Sequence, residues 1–346
     1  MDAAFAMVAA APWWLLALAV ACVSGAIAVA VLGVDLWRHP DHVIRAEYAR
    51  QRRALGFRRR RARIAGQRWS WIERDADRAG APTVVMLHGY TGSKENWFAL
   101  ARALGRSFRL VAPDLPGWGG SERRPGGDYG YAAEAANVAA FLRETADAPV
   151  LLLGHSMGGG IAAVVAADHP RLVAAVGLFS AAGVEFAENR FGLQVLAGGN
   201  PFGVHDAASL EHYLSILFHR RDRRPPIPWP ATHAVIAHRR LEAAFEQSVL
   251  DRIGRGDDRF LPGESASRIR QPALLAWGAD DQVIDPSAMA IYAAAMPQAR
   301  TLLLRDCGHM SLVECAEQLA DAVRSLAAAA IPAAATPIAA QRSRAA

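Results

Sequence analysis

The sequence predicts an α/β fold: a mostly parallel sheet with helices on both faces, an inserted helical segment and an N-terminal transmembrane helix. Three observations predict it. Short apolar runs alternate with helical patterns from residue 62 to residue 330, as in parallel sheets that are wrapped by helices. Within that region, residues 181–270 contain no comparable apolar run. Before it, residues 3–34 carry no charge, which exceeds the roughly 20 residues that cross a bilayer as a helix.

The composition is that of a globular chain. Of the 346 residues, 52% are hydrophobic and 21% are charged, which excludes a wholly disordered or fibrous protein. The three cysteines, Cys22, Cys307 and Cys315, cannot build a disulfide framework and lack the spacing of metal ligands. Eleven arginines lie between Arg38 and Arg68, and charges elsewhere are balanced. We therefore predict no metal, no cofactor and no nucleic-acid partner.

Residues 1–36 are predicted to be an uncleaved membrane anchor. A cleavable signal peptide has a positive start and a shorter apolar stretch, whereas the only charged side chain before residue 35 is Asp2. Lipid attachment at Cys22 is the less favoured alternative, because the apolar run continues twelve residues past it.

Residues 37–61 are predicted to be a basic juxtamembrane linker. A stop-transfer flank and a solvated helix account for its arginines, with specific recognition of lipid or nucleic acid as the less favoured alternative. Because arginine-rich flanks remain in the cytoplasm, we expect a single-pass protein of a bacterial inner membrane, with its folded domain in the cytoplasm.

The elements of the folded domain, residues 62–330, follow from the same patterns. Ala62–Asp75 is predicted to form short strands around Gly66. Further strands are predicted at 84–87, 109–112, 150–153, 173–179, 273–276 and 301–304. Helices are predicted at 97–104, 132–144, 158–169, 286–296 and 314–329.

Residues 181–270 are predicted to be a helical cap inserted between two strands. Five apolar residues recur there at the spacing of one helix face: Leu210, Tyr213, Leu214, Leu217 and Phe218. This stripe either belongs to a cap or packs on the main core, and the sequence leaves both open. The Ala- and Pro-rich residues 331–346 are predicted to be a disordered tail.

The strongest functional signal is the run Gly-His-Ser-Met-Gly at residues 154–158. It lies between a predicted buried strand and a helix rich in Gly and Ala. A serine held at a tight strand-to-helix turn projects its hydroxyl above the sheet edge, and the N-terminus of the helix supplies donors for developing negative charge. Ser156 is therefore the candidate nucleophile.

A serine nucleophile needs a general base that is itself oriented by an acid. His309, on the loop after the last predicted strand, is the candidate base. Asp281, on the loop after the strand before it, is the candidate acid, with Asp280 and Asp285 as alternatives. The three candidates follow the carboxyl ends of strands, where open α/β sheets place ligands.

These motifs resemble those of the α/β-hydrolase superfamily over about residues 67–329. The matching segments are His88-Gly89-Tyr90, Asp114-x-Pro116-Gly117-x-Gly119-x-Ser121, residues 154–158, Trp277-Gly278-x-x-Asp281 and Gly308-His309. Within the superfamily, the chain is most similar to membrane-anchored ABHD-type monoacylglycerol lipases and related bacterial lipases. The resemblance implies that the backbone N–H groups of Tyr90 and Met157 form an oxyanion hole.

The sequence thus predicts a membrane-anchored serine ester hydrolase that acts on a lipid or other apolar ester through an acyl-enzyme. Serine rather than aspartate in the motif argues against dehalogenase and epoxide-hydrolase chemistry. A C–C bond hydrolase or perhydrolase of the same superfamily, and a non-catalytic membrane-bound scaffold, remain alternatives. His88, His155 and Asp114 are interpreted as residues that hold loops.

Overall fold

The structure, a computed structural model, describes residues 12–39 and 41–330. The predicted disordered tail and the first eleven residues of the predicted anchor lie outside this range. The described chain opens on helix α1, Trp13–Arg38. Its segment Trp13–Asp35 is long and apolar enough to cross a membrane, and none of it is buried against the rest of the protein. Exposed apolar surface of this extent is typical of a segment that lies in lipid.

The predicted basic linker folds into a helix and the start of a strand. Helix α2 spans Asp41–Ala54 and has no buried residue, and strand β1 spans Arg58–Ile64. The predicted boundary between residues 61 and 62 therefore falls inside β1. The first four residues of β1 are arginines, so the strand lacks the alternation of apolar and polar residues by which strands are predicted. An exposed edge strand does not need this alternation.

Eight strands form one sheet. After β1 they are β2 Gln67–Arg74, β3 Thr83–Leu87, β4 Arg109–Asp114, β5 Val150–His155, β6 Val173–Phe179, β7 Ala273–Gly278 and β8 Arg300–Leu304. Their order is β1-β2-β4-β3-β5-β6-β7-β8. The pairs β1–β2 and β2–β4 are antiparallel, and all other neighbours are parallel. The predicted, mostly parallel sheet is confirmed.

Helices pack around this sheet. They are α3 Phe98–Ala103, α4 Tyr131–Thr145, α5 Met157–Asp168, α6 Arg190–Leu196, α7 Ala207–Leu217, α8 Ala231–Arg255, α9 Leu261–Ala266, α10 Ser287–Ala295, α11 Ser311–Glu314 and α12 Ala316–Ala330. Helix α5 packs on β5 and β6 beside α4, whereas α12 packs on β6 and β7 beside α3. The two sets of helices enclose the core strands between them.

Between β6 and β7 the described chain contains four α-helices, one short 3₁₀ helix at Arg221–Arg223 and no strand, as the sequence predicts. Helices α6, α7 and α8 belong to what we call the cap, residues 185–255. Helix α9 differs from the prediction, because it packs on α4 and α5 in the layer that covers the sheet. Pro262 of α9 lies so close to Gly183 that a Cβ on this glycine would be 2.3 Å from its Cγ. The insertion thus rejoins the core before residue 270.

Glu134 is a charged side chain inside the helical layer. It lies on α4, is 2% exposed, and one of its carboxyl oxygens has no hydrogen-bond partner among the described residues. The other oxygen accepts from Asn137 at 3.4 Å. Burial raises the pKa of Glu134 well above its usual value, because the charged form loses its hydration.

Replacing Glu134 with glutamine is expected to stabilise the protein at neutral pH. A raised pKa means that the folded state binds the Glu134 proton more tightly than the unfolded state does. The free energy of unfolding that this proton contributes is therefore fully present below about pH 4.5 and is lost as the pH rises. We expect a gain of about 1–3 kcal/mol at pH 8, the usual cost of an unsatisfied buried group. Melting temperatures at pH 5 and pH 8 measure it, at roughly 2–4 °C per kcal/mol. The exposed Glu144→Gln on the same helix is the control, and a gain that does not depend on pH would contradict this expectation.

Candidate active site

Ser156 lies at the turn between β5 and α5. Its φ of +56° and ψ of −121° are values that residues other than glycine rarely adopt. The turn is held by hydrogen bonds: the Ser156 N–H donates to the carbonyl oxygen of Phe179 at 2.9 Å. Its own carbonyl oxygen accepts three N–H groups at 2.9 to 3.1 Å, from Gly159, Gly160 and Ala182. These contacts fix the backbone of Ser156 in its strained conformation.

The two glycines of the 154–158 run are steric requirements. A Cβ on Gly154 would lie 2.1 Å from the carbonyl oxygen of Gly158. A Cβ on Gly158 would lie 2.4 Å from the carbonyl oxygen of His88. Because neither distance is sterically possible, the close approach of strand, turn and helix depends on glycine at both positions.

His309 and Asp281 meet on neighbouring loops, after β8 and β7. The His309 Nδ1 lies 2.8 Å from Asp281 Oδ2, and both side chains are buried, at 2% and 0% exposure. The other carboxylate oxygen accepts the N–H groups of Val283 at 2.9 Å and Ile284 at 3.0 Å. A carboxylate can only accept, so the ring carries its proton on Nδ1 and leaves the lone pair of Nε2 for another proton.

The two other candidate acids have different partners. Asp280 is partly exposed, and its nearest imidazole nitrogen is that of His219, at 3.8 Å. Asp285 accepts a backbone N–H at the start of α10. Of the three carboxylates, which all lie in the described chain, Asp281 is the one that is bonded to His309.

Ser156 and His309 lie on the wall of one cavity of about 810 Å³. The loop after β3 and the cap supply most of the remaining wall. Helix α2 also contributes, through Ile44 and Tyr48, so the cavity extends from the nucleophile to the helix that follows α1. A volume of this size accommodates a ligand of several hundred daltons.

Four of the five residues of the apolar stripe, on α7 and directly after it, line this cavity. Tyr213, Leu214, Leu217 and Phe218 all line the cavity. Leu217 and Phe218 belong as well to the main buried cluster. The stripe therefore belongs to the cap and also packs on the main core, so the two alternatives that the sequence leaves open do not exclude each other.

The candidate oxyanion donors, Tyr90 and Met157, belong to the two segments that adjoin Ser156. Met157 is the first residue of α5, where N–H groups lack an acceptor within the helix. Tyr90 follows Gly89, where an added Cβ would be 2.9 Å from Ser156 Cβ. Within residues 12–39 and 41–330, neither N–H donates a hydrogen bond. Two such donors can stabilise a negatively charged oxygen that forms next to Ser156.

Two further histidines hold the loops of the site. His155 Nε2 lies 2.8 Å from the carbonyl oxygen of His309, and burial lowers the pKa of His155 to about 3. It is therefore neutral and donates this bond. His88 accepts the N–H of Leu115 at Nε2 and donates from Nδ1 to the carbonyl oxygen of Gly89, at 2.9 and 2.8 Å. The sequence interpretation of both as loop residues agrees with these contacts, but it did not anticipate the support that His155 gives to His309.

Asp114 is a buried structural acid. It accepts from Lys94 Nζ at 2.6 Å and from the N–H of Gly120 at 2.8 Å. These bonds join the loops after β3 and β4, which both line the cavity. Asp114 thus holds loops, as the sequence analysis expects.

Two groups of side chains in the described residues are close enough together to hold a metal ion. They are His39, Asp41 and His42, and His219, Asp280 and Asp306. Both are exposed or half-buried, and neither contains Ser156, His309 or Asp281. Exposed groups of this kind are common without a metal, so the chemistry proposed below assigns them no role.

The chain is similar to known proteins over most of its length. Residues 84–322 match the model of the alpha/beta hydrolase family. Monoacylglycerol lipase abhd6-B of Xenopus laevis is 28% identical over 289 residues, 81% of this chain and 84% of that protein. Lipase 1 of Psychrobacter immobilis is 28% identical over 251 residues, 70% of this chain and 75% of that protein. The crystal structure of a membrane phospholipase A, a bacterial virulence factor, has a TM-score of 0.79 at 25% identity and covers 89% of this chain and 98% of its own.

Proposed function

Because the chain belongs to the alpha/beta hydrolase family, we propose that it is a membrane-anchored serine ester hydrolase with Ser156, His309 and Asp281 as its catalytic triad. One observation carries this proposal: the buried hydrogen bond between His309 and Asp281, on the wall of the cavity that also contains Ser156. The bond supplies an oriented base, without which a serine hydroxyl is a poor nucleophile.

In the proposed reaction, Ser156 Oγ attacks the ester carbonyl carbon while His309 Nε2 takes the hydroxyl proton. Asp281 stabilises the resulting imidazolium, and the N–H groups of Tyr90 and Met157 hold the oxyanion. The tetrahedral intermediate collapses as His309 returns the proton to the departing alcohol. Water then attacks the acyl-enzyme with the same base, which releases the carboxylic acid and restores Ser156.

We further propose that the substrate is an apolar ester held in a membrane, such as a monoacylglycerol or another medium-chain ester. Two observations support it. Helix α2 begins at Asp41, three residues after α1 ends at Arg38, and Ile44 and Tyr48 of α2 line the cavity. The cavity therefore opens beside the candidate membrane helix. In addition, the relatives are named monoacylglycerol lipase and lipase.

A fluorophosphonate probe tests the reaction class. We expect the full-length protein in detergent to be labelled on Ser156, as mapped by mass spectrometry, and the Ser156→Ala variant to remain unlabelled. Folded protein that resists the probe would favour the non-catalytic scaffold.

Glycerol monoesters of increasing acyl length, presented in mixed micelles, test the substrate class. We expect kcat/KM to rise with chain length as the apolar cavity fills, by up to roughly 0.8 kcal/mol for each buried methylene. A maximum at the shortest, freely soluble ester would argue against a membrane substrate.

We also propose that residues 1–36 anchor the protein in a bacterial inner membrane with the hydrolase domain in the cytoplasm. The support is the position of the arginines, since none precedes Arg38 and eleven lie between Arg38 and Arg68. Protease added to spheroplasts is expected to spare the domain, whereas protease added to inverted vesicles should degrade it. Cleavage from the periplasmic side alone would overturn the proposed orientation.

A further inference from the structure

We infer that the hydroxyl of Tyr90 ties the oxyanion loop, residues 88–92, to the cap and thereby positions the Tyr90 N–H for catalysis. The inference rests on the proposed function and deepens it. It makes Tyr90 a positioning residue through its side chain, in addition to the role that its backbone N–H has in the proposed reaction.

The oxyanion loop contains a conformation that needs external support. Thr91 has a φ of +56°, in the left-handed region that β-branched residues rarely adopt. Residues in such conformations persist where the surrounding structure holds them. The position of the adjacent Tyr90 N–H therefore depends on the groups that contact this loop.

The core holds the first half of the loop. His88 donates to the carbonyl oxygen of Gly89 at 2.8 Å and accepts the N–H of Leu115 at 2.9 Å. Gly89 in turn packs against Ser156. Tyr90 and Thr91 lie inside a turn in which the Gly92 N–H donates to the carbonyl oxygen of Gly89 at 3.0 Å. The bonds of His88 do not reach their side chains, which are held by other groups.

The cap holds the Tyr90 side chain. The Tyr90 hydroxyl donates to the carbonyl oxygen of Glu246, on α8, at 2.7 Å and accepts from Asn200 Nδ2 at 3.2 Å. Tyr90 is 8% exposed, and its ring packs with the rings of Trp118 and Phe202, each at a centroid distance of 5.5 Å. One hydroxyl thus bonds to two separate segments of the cap.

A second cap contact holds the next residue of the loop. Thr91 Oγ1 lies 3.1 Å from the hydroxyl of Tyr213, on α7. The strained residue and its neighbour are therefore both bonded to the cap, and the residue before them, Gly89, packs against Ser156. Displacement of the cap would move the oxyanion donor with it.

The acceptor of the Tyr90 bond belongs to a rigid part of the cap. Glu246 is buried and accepts from Arg239 Nη2 at 3.1 Å. The same Arg239 nitrogen donates to the carbonyl oxygen of Phe202 at 2.8 Å, which joins α8 to the segment before α7. A buried charged pair that is bonded in this way keeps the Glu246 backbone in place.

Tyr90→Phe tests the inference, because it removes the hydroxyl and keeps the ring and the backbone N–H. We expect kcat to fall by about 10- to 100-fold, less than the roughly 10² to 10³ that loss of an oxyanion donor costs. KM should stay within about twofold, since the oxyanion forms only in the transition state. The loss should be equal for p-nitrophenyl butyrate and for a long-chain monoacylglycerol. The matched control is Tyr129→Phe, whose hydroxyl bonds to the backbone of Arg124, and it should retain wild-type kcat.

Asn200→Ala gives a second, independent measurement that does not alter Tyr90. It should lower kcat by a smaller factor, and most of that loss should vanish in the Tyr90→Phe background, because the Tyr90 hydroxyl is one of the two partners of the Asn200 side chain. The other partner is the Phe202 N–H, at 3.0 Å. Wild-type kcat in Tyr90→Phe, a change confined to KM for the long-chain ester, or fully additive losses would each overturn the inference. Failure of the proposed function would look different, because the wild-type protein itself would lack activity and fluorophosphonate labelling.

Discussion

Replacement of Ser156 by alanine is expected to lower kcat for ester hydrolysis by a factor of about 10⁴ to 10⁶, with little change in KM. The variant lacks the oxygen that forms the acyl-enzyme, so only attack by water remains. The oxyanion donors at Tyr90 and Met157 are kept, which is why we expect residual hydrolysis above the uncatalysed rate. Steady-state kinetics with p-nitrophenyl butyrate measure the loss, and any acyl-enzyme burst should disappear.

Ser215→Ala is the control for this experiment. The Ser215 hydroxyl donates to the carbonyl oxygen of His212 within α7, and it does not line the cavity. Its removal should leave kcat within about twofold of the wild-type value, since exposed substitutions of this kind have small effects. Retention of wild-type activity by Ser156→Ala would contradict the proposed mechanism outright.

Asp281→Asn is expected to lower kcat by a factor of about 10⁴. The asparagine amide can donate to His309 Nδ1, which would shift the ring proton to Nε2 and leave no lone pair to accept the Ser156 proton. The neighbouring Asp280→Asn is a matched control, because Asp280 is partly exposed and has no bond to His309 among the described residues. It should change kcat by no more than about threefold.

The order of these two effects decides which carboxylate is the acid. A large loss for Asp280→Asn with a small loss for Asp281→Asn would reassign the role. Melting temperatures of both variants should accompany the kinetics, since Asp281 also accepts the N–H groups of Val283 and Ile284. A stable Asp281→Asn protein with low kcat would separate the catalytic effect from a folding defect.

The sheet and the positions of the candidate site residues could be predicted from the sequence because most of their signals are local. Each central strand is a short apolar run, and Ser156 lies in a run whose first glycine is required by a contact with Gly158, four residues further on. The second glycine, Gly158, is required by a contact with the distant His88. The candidate acid and base were found by their position after β7 and β8, and the structure brings Asp281 and His309 together. Their catalytic roles remain predictions.

Long-range contacts explain what the sequence did not predict. Helix α8 has a buried face that includes Arg239 and Glu246, and because each neutralises the other, the face shows no apolar period. The partners of the Tyr90 hydroxyl lie 110 and 156 residues away in the chain, so no local pattern contains that contact. Strand β1 begins at Arg58, four residues before the predicted start at Ala62. Its arginines are exposed at the edge of the sheet, so they show no apolar pattern that would predict a strand.

The short connection between α1 and α2 has a consequence for how the reaction rate should be described. With α1 in a bilayer and an ester of that bilayer as the proposed substrate, a cavity lined by Asp41 would receive molecules that diffuse in two dimensions within one leaflet. The occupancy of the cavity by the ester would then depend on the mole fraction of the ester among the surrounding lipids. Tethering has the same effect in general, because it replaces the bulk concentration by a local one. Dilution of the ester with inert phospholipid should slow turnover even when the amount of ester per volume of sample is held constant.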